Sequence, residues 1–472
     1  MALDAFGRLV FLYLACAKLV SAQYTIPDVT IQALKPKGIR VSIPDSRGVS
    51  LFVFQGNLNK EIGSNDVGVI AGEVTNPMDG LWMYEDLDLQ LKVGDVIYYY
   101  VFVSNDGKGY VKDRLTFTVR VLEDPISTGP NDCAPTQTRV RNGQACAGKI
   151  IFEEKFDYLR EDVWQIEQYI PDEPDYPFVS YQRPFNVPTV SVQGGYLRIE
   201  PKLQQNIPGF SNSSIEMGSL DLFSGCTATS TKCRTEAWGA SILPPIVSGK
   251  LTSKAFAFTY GVVEIRAKLP QGDWLYPDIL LESFLKKYGS LNYASGVLRV
   301  AGARGNGQLS VGTADFGNKL LFGGVLMDAK CRDILLRNKT SSRPWGDDYH
   351  IYAVRWTPDE ITLLVDGEEW TRITPSSNSL KDLFSTSCDI PRSVLATGSK
   401  LAPFDDHFVL SLGVAAGGIT EFPDGVTSAG KPKPWQNTSR KASLRFWQDI
   451  ASWIETWRQP ALLVDYVTVR AL

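Results

Sequence analysis

The residues able to do acid, base or nucleophilic chemistry are few and scattered. His350 and His407 are the only histidines in 472 residues, which leaves little from which to build a Ser-His-Asp relay. With two histidines and no Cys-x-x-Cys pair, the sequence lacks the ligand spacing of a zinc site, and neither a metal nor a cofactor is expected. The glycine-rich run near Arg304 has no Lys-Ser/Thr behind it and does not read as a phosphate loop. Two acids, Glu264 and Glu282, flank the aromatic pair Trp274 and Tyr276. Glycoside hydrolysis with retention needs two carboxyl groups about 5 Å apart. Glu264 reads as a structural pairing residue of its strand, and Glu282 follows Leu280 and Leu281 with nothing to set a second acid opposite it. The aromatic pair offers faces on which sugar CH groups stack, and equally offers core packing.

The elements that must hold these residues are strands. From Gln23 to Asp124 short apolar runs (Ile39 to Ile43, Leu51 to Phe54, Val96 to Val103, Thr116 to Val121) alternate with turns, including Asn105-Asp106-Gly107, whose residues tolerate positive φ. Residues 125–148 are small and polar and read as a linker clipped by Cys133 and Cys146. Residues 149–472 return to short strands and Gly/Pro turns, with one helix predicted from Lys441 to Ile454. The fold class is all-β: an immunoglobulin-like sandwich over 23–124 joined to a large concanavalin-like jelly-roll sandwich over 149–472.

Arg8, the apolar run Leu9 to Ala17 and the small residues Val20, Ser21 and Ala22 make residues 1–22 a secretory signal peptide cut before Gln23. No second apolar stretch approaches the length of a membrane span. Cys133, Cys146, Cys226, Cys233, Cys331 and Cys388 then remain, an even number suited to an oxidising compartment, and loop spacing favours pairing them in that order. Asn212, Asn338 and Asn437 stand in glycosylation sequons. A net charge of -4 gives no basic excess for binding nucleic acid.

The run Tyr260-Gly261-Val262-Val263-Glu264-Ile265-Arg266-Ala267-Lys268-Leu269-Pro270-Gln271-Gly272-Asp273-Trp274 resembles the strands entering the groove of family 16 glycoside hydrolases of the laminarinase type, as do Trp356-Thr357-Pro358-Asp359, Ala402-Pro403-Phe404-Asp405 and Val464-Asp465-Tyr466-Val467. In active members Glu-x-Asp-x-x-Glu lies between a Ser-Gly and an Arg-Gly-Asn. Here the flanks are intact as Ser295-Gly296 and Arg304-Gly305-Asn306, but Val297, Arg299 and Gly302 stand at the three acid positions. Residues two apart on a strand share a face, and the third position joins them only through a bulge. Val has no nucleophile and Gly no proton to give, so the resemblance implies a groove that does not cut. Trp274, Tyr276, Arg299, Arg304 and Asn306 are the candidate sugar contacts there, although Leu280 replaces a further groove Trp of the family. Arg299 has two readings, a donor to sugar hydroxyls or a counterion for a neighbour such as Asp278.

The N-terminal segment is similar to the glucan-binding module (carbohydrate-binding family 39) of insect β-1,3-glucan recognition proteins, through Ala33 to Asp45, Leu51 to Phe54, Gly80-Leu81-Trp82, Leu91 to Asp95 and Tyr98 to Val103. By motif position the resemblance puts its ligand residues at Asp45, Trp82 and Asp86. It implies a secreted, haemolymph-borne, non-hydrolytic sensor of microbial β-1,3-glucan, with lipopolysaccharide or lipoteichoic acid as further ligands. It also implies a modular serine protease partner that starts a prophenoloxidase or Toll-type cascade. An active endo-β-1,3-glucanase and a structural lectin-like extracellular protein are the competing readings.

Overall fold

In the computed structural model residues 24–63, 66–75, 77, 80–123, 133–141, 143–375 and 379–472 are described. The expected signal peptide at 1–22 and residues 125–132 and 142 of the expected linker lie outside them. The chain divides into two compact units, residues 1–128 and 129–472.

In the first unit, β1 (Thr30–Ala33), β2 (Ile39–Pro44), β3 (Val49–Leu58), β4 (Ile70–Val74), β5 (Leu81–Asp86), β6 (Val96–Asn105) and β7 (Lys108–Thr118) form two antiparallel sheets, ordered β1-β2-β5 and β4-β3-β6-β7. The strand alternation is strict in β6, where Ile97, Tyr99, Val101 and Val103 point into the core and meet Phe52 and Phe54 from β3. Asp106 (φ 48°) and Gly107 (φ 73°) close the β6–β7 hairpin in the left-handed conformation expected of that turn. The run read as a strand from Thr116 to Val121 is the end of a longer β7 that stops at Thr118.

The second unit packs a nine-stranded sheet against an eight-stranded one around one large core. The former carries the strands Phe408–Ala416, Leu275–Ser283, Val297–Gly302 and Leu320–Leu326 side by side; the latter centres on Gly261–Lys268 between Leu462–Arg470 and His350–Trp356. Part of the expected linker belongs to this unit. The strand β8 (Arg139–Val140) pairs with Phe258-Thr259, Val140 and Ala145 are buried in the core, and Thr136 donates to the Leu472 carbonyl at 2.8 Å. Apolar burial decides this against the polar composition. Disulfides join Cys133 to Cys146, Cys226 to Cys233 and Cys331 to Cys388. The predicted helix from Lys441 to Ile454 is broken: Ala442–Gln448 ends at Asp449, which leaves helical dihedrals (φ −93°, ψ 15°), and a separate turn runs over Ile450–Trp453.

Candidate functional site

The strand Val297–Gly302 carries the three positions at which the family resemblance expected acids. Leu298 and Val300 are buried in the sandwich core, so Val297 and Arg299 share the other face, and the register slips between Arg299 and Gly302 as a bulge requires. A Cβ on Gly302 would come to 2.9 Å from the Phe322 ring and 3.3 Å from the Arg299 side chain. The three positions therefore adjoin, but Phe322 and the Arg299 stem fill the space.

Arg299 is 3% exposed and donates to Glu421 at 3.0 Å. Arg332 reaches the same carboxylate at 3.4 Å, and Arg304 pairs with it at 3.3 Å while donating to the Glu421 carbonyl at 2.8 Å. Both Arg299 and Arg304 lie over the Phe322 ring, each 5.0 Å from its centroid. Arg332 bonds Asp175 at 2.7 Å, and Asp175 also accepts from Tyr293 and Thr420. Burial alone would raise the Glu421 carboxyl, but the guanidiniums of Arg299, Arg304 and Arg332 hold it below the ordinary carboxylate range. Asp278 is pushed up by burial, against the pull of Lys250 and Arg299. Carboxylates do approach the old catalytic centre, then, but Glu421 and Asp175 are consumed by cations and hydroxyls. Asp278, whose Oδ2 accepts from Tyr181 at 3.2 Å, is buried. Glu282 pairs with Lys250 at 3.1 Å, and Glu264 belongs to the opposite sheet.

The sugar contacts expected in this groove are corrected by burial. Trp274 and Tyr276 are interior, Trp274 meeting Phe422 and Trp435 edge to face at 5.3 and 5.0 Å. Asn306 is fully buried, accepting from the Trp274 backbone N–H at 3.0 Å and donating to Ser428 at 3.0 Å. It is a structural clamp. Arg299 takes the counterion reading, with Glu421 rather than Asp278 as its bonded partner. The Asp328, Cys331 and Cys388 group has ligand-like spacing, but both sulfurs are spent in a disulfide.

In the first unit the expected triad is likewise not an aromatic face with acids beside it. Trp82 is 2% exposed and its indole N–H donates to Asp45 at 2.7 Å. It sits on the core side of β5, paired opposite Ile43, because the alternation that sets Met83 and Glu85 on the other face turns it inward. Asp86 accepts from the backbone N–H groups of Asp88 and Leu89 at 2.9 and 3.2 Å, so it caps a turn.

The exposed aromatic surface of this unit lies on the outer face of the four-stranded sheet. Since Tyr99, Val101 and Val103 point inward, Tyr98, Tyr100 and Phe102 point outward, partly buried, along one strand. The register sets Asn57 and Gln55 on β3 beside Tyr98 and Tyr100, and Val53, Glu73 and Val111 in one row with Phe102. Tyr100 donates to the Asp66 carbonyl at 3.0 Å, while Gln55 and Asn57 accept from Gly68 and Val69, so residues 66–69 are pinned along the same face. Phe102 lies down over Gly109, where a Cβ would come within 2.6 Å of the ring. The result is a flat aromatic strip at two-residue spacing, edged by amide groups and the exposed carboxylate of Glu73. A solvated antiparallel face is normally polar, so this one marks an interaction surface. The sequence held the signal in Tyr98-Tyr99-Tyr100-Val101-Phe102, aromatic on both faces of one strand, whereas the motif resemblance pointed to position 82.

The comparisons set the chain in a class of carbohydrate-binding proteins that also carry a match to a glycosidase family. A family model, CBM39, described as a carbohydrate binding domain (family 32), matches residues 25–139, and one for glycosyl hydrolases family 16 matches residues 333–401. The chain is 60% identical to a beta-1,3-glucan-binding protein of Hyphantria cunea over 95% of this chain and 96% of that one. It is 37% identical to beta-1,3-glucan-binding protein 1 of Manduca sexta over 95% and 96%. It is 31% identical to Gram-negative bacteria-binding protein 3 of Drosophila melanogaster over 95% and 95%. The chain belongs to the insect family of beta-1,3-glucan-binding and Gram-negative bacteria-binding proteins.

Proposed function

We propose that this protein is a secreted, non-hydrolytic pattern-recognition protein that holds microbial β-1,3-glucan on the outer face of β3, β4, β6 and β7. The observation that carries the reading is the strip of Tyr98, Tyr100 and Phe102 left facing solvent with hydrogen-bonding side chains at its edges. Aromatic faces cover the CH side of pyranose rings, the Glu73 carboxylate accepts from hydroxyls, and the Gln55 amide N–H group donates to them. Family membership supports the choice of polymer. Asp45 and Trp82 act in this reading as supports of the sandwich. The protease-recruiting step of an immune cascade rests on the family resemblance alone, and lipopolysaccharide or lipoteichoic acid remain secondary ligands of the same reading.

Co-sedimentation of the full mature chain with insoluble β-1,3-glucan tests the proposal. Tyr100→Ala or Phe102→Ala should weaken binding about tenfold, roughly 1.4 kcal/mol, with the circular dichroism unchanged. Full pelleting of both variants would sink it. Release of reducing ends from soluble β-1,3-glucan by the purified chain would sink the non-hydrolytic part.

A further inference from the structure

The second unit carries a pocket of about 490 Å³ that the emptied groove does not account for. Its volume falls in the range of small-ligand sites, roughly 300–1,000 Å³. Pro171, Pro177 and Pro244 give it rigid apolar walls, and Thr235, Thr438 and Arg440 stand among its lining. These polar groups are unspent: among the described residues no acid pairs with Arg440, and neither threonine hydroxyl has a protein partner. Tyr176, also in the lining, is 41% exposed and held at φ 42°, a conformation that non-glycine residues keep only where the surroundings impose it. Three residues beyond the lining residue Thr235 in sequence, the turn closed by the Trp238–Ser241 pair presents Trp238 at 85% exposure. An indole so fully in water is uncommon, and no ring contact or hydrogen bond holds it.

We infer that this pocket is a second carbohydrate site, taking one end of a neutral β-linked oligosaccharide, with Trp238 and Tyr176 as ring platforms and Arg440, Thr235 and Thr438 as hydroxyl partners. The assignment to a neutral sugar follows from the chemistry of the lining. One guanidinium without a second cation is a weak anion site, whereas unspent hydroxyls around apolar walls match a ligand that alternates CH faces with OH edges. The inference rests on the reading of the protein as a glucan binder but not on the aromatic strip of the first unit.

Hydrogen–deuterium exchange of the full mature chain, with and without a β-1,3-linked glucose hexasaccharide, tests it. Peptides spanning 170–179, 235–244 and 437–443 should gain protection, and Trp238→Ala should abolish that gain while leaving any protection in 96–118 intact. Protection confined to 96–118 would overturn the second site and leave the proposed function standing. Protection confined to 170–179, 235–244 and 437–443 would do the reverse. Protection of the three pocket peptides that survives in Trp238→Ala and in Arg440→Ala would also overturn the assignment. So would a glycan found on Asn437, which lines the same pocket.

Discussion

At the scale of single residues, Trp82 and Glu421 illustrate how a side chain's partners decide its role. Trp82 fills the first unit's core and spends its N–H on Asp45. Trp82→Ala should therefore lower stability by about 3–5 kcal/mol, read as a fall in the midpoint of denaturant unfolding, and any loss of glucan binding should follow the loss of fold. Normal unfolding of that variant would contradict the placement. Glu421 faces three guanidiniums in a buried cluster. Removing its charge leaves cations without a counterion, and Glu421→Gln should cost about 3–5 kcal/mol at neutral pH. The sign with pH follows from its lowered carboxyl: its contribution is complete above the ordinary carboxylate range and is lost as pH falls through the folded value. Asp278, raised by burial, works oppositely, contributing most in acid and fading as pH rises through its folded value. Thermal melts from neutral pH into acid should thus show a steeper acid loss in the wild type than in Glu421→Gln. The emptied positions Val297, Arg299 and Gly302 could be read because their flanks are local in sequence. The partner of Arg299 could not, since Glu421 is 122 residues away.

At the scale of elements, the bulge in Val297–Gly302 keeps the register of a catalytic strand while its contents have changed. Restoring Val297→Glu, Arg299→Asp and Gly302→Glu together is expected to give no measurable hydrolysis of laminarin. A side chain at 302 meets Phe322, and an acid at 299 would face Glu421 with one of that carboxylate's three guanidiniums gone. Measurable release of reducing sugar by the triple variant would show that the filling is softer than the geometry says. The neighbouring Cys331–Cys388 bond closes 57 residues and holds the chain beside Arg332. Replacing both cysteines with Ser should cost about 2–4 kcal/mol in denaturant melts. The strands of the first unit were legible because alternation and turn chemistry agree. Residues 133–148 were not, because Val140 and Ala145 are isolated apolar residues in a polar stretch and only the tertiary sheet recruits them.

At the scale of the whole molecule, the net charge of -4 and the weakly charged aromatic strip suit an uncharged polymer. Binding to insoluble glucan should change little over a tenfold rise in salt, since few charges are screened or released. A steep fall in pelleting with salt would point to an anionic ligand surface instead. A repeating polymer also lets weak contacts add, so soluble short oligosaccharides should compete far less well per sugar than long chains.

The bare backbone of Gly109 beneath Phe102 is what lets that ring lie so close to β7. A single methyl group there would push the ring away and break the platform, while the core on the other side of β7 stays as it is. Affinity for a flat sugar face is thereby made to depend on one hydrogen atom that touches no ligand.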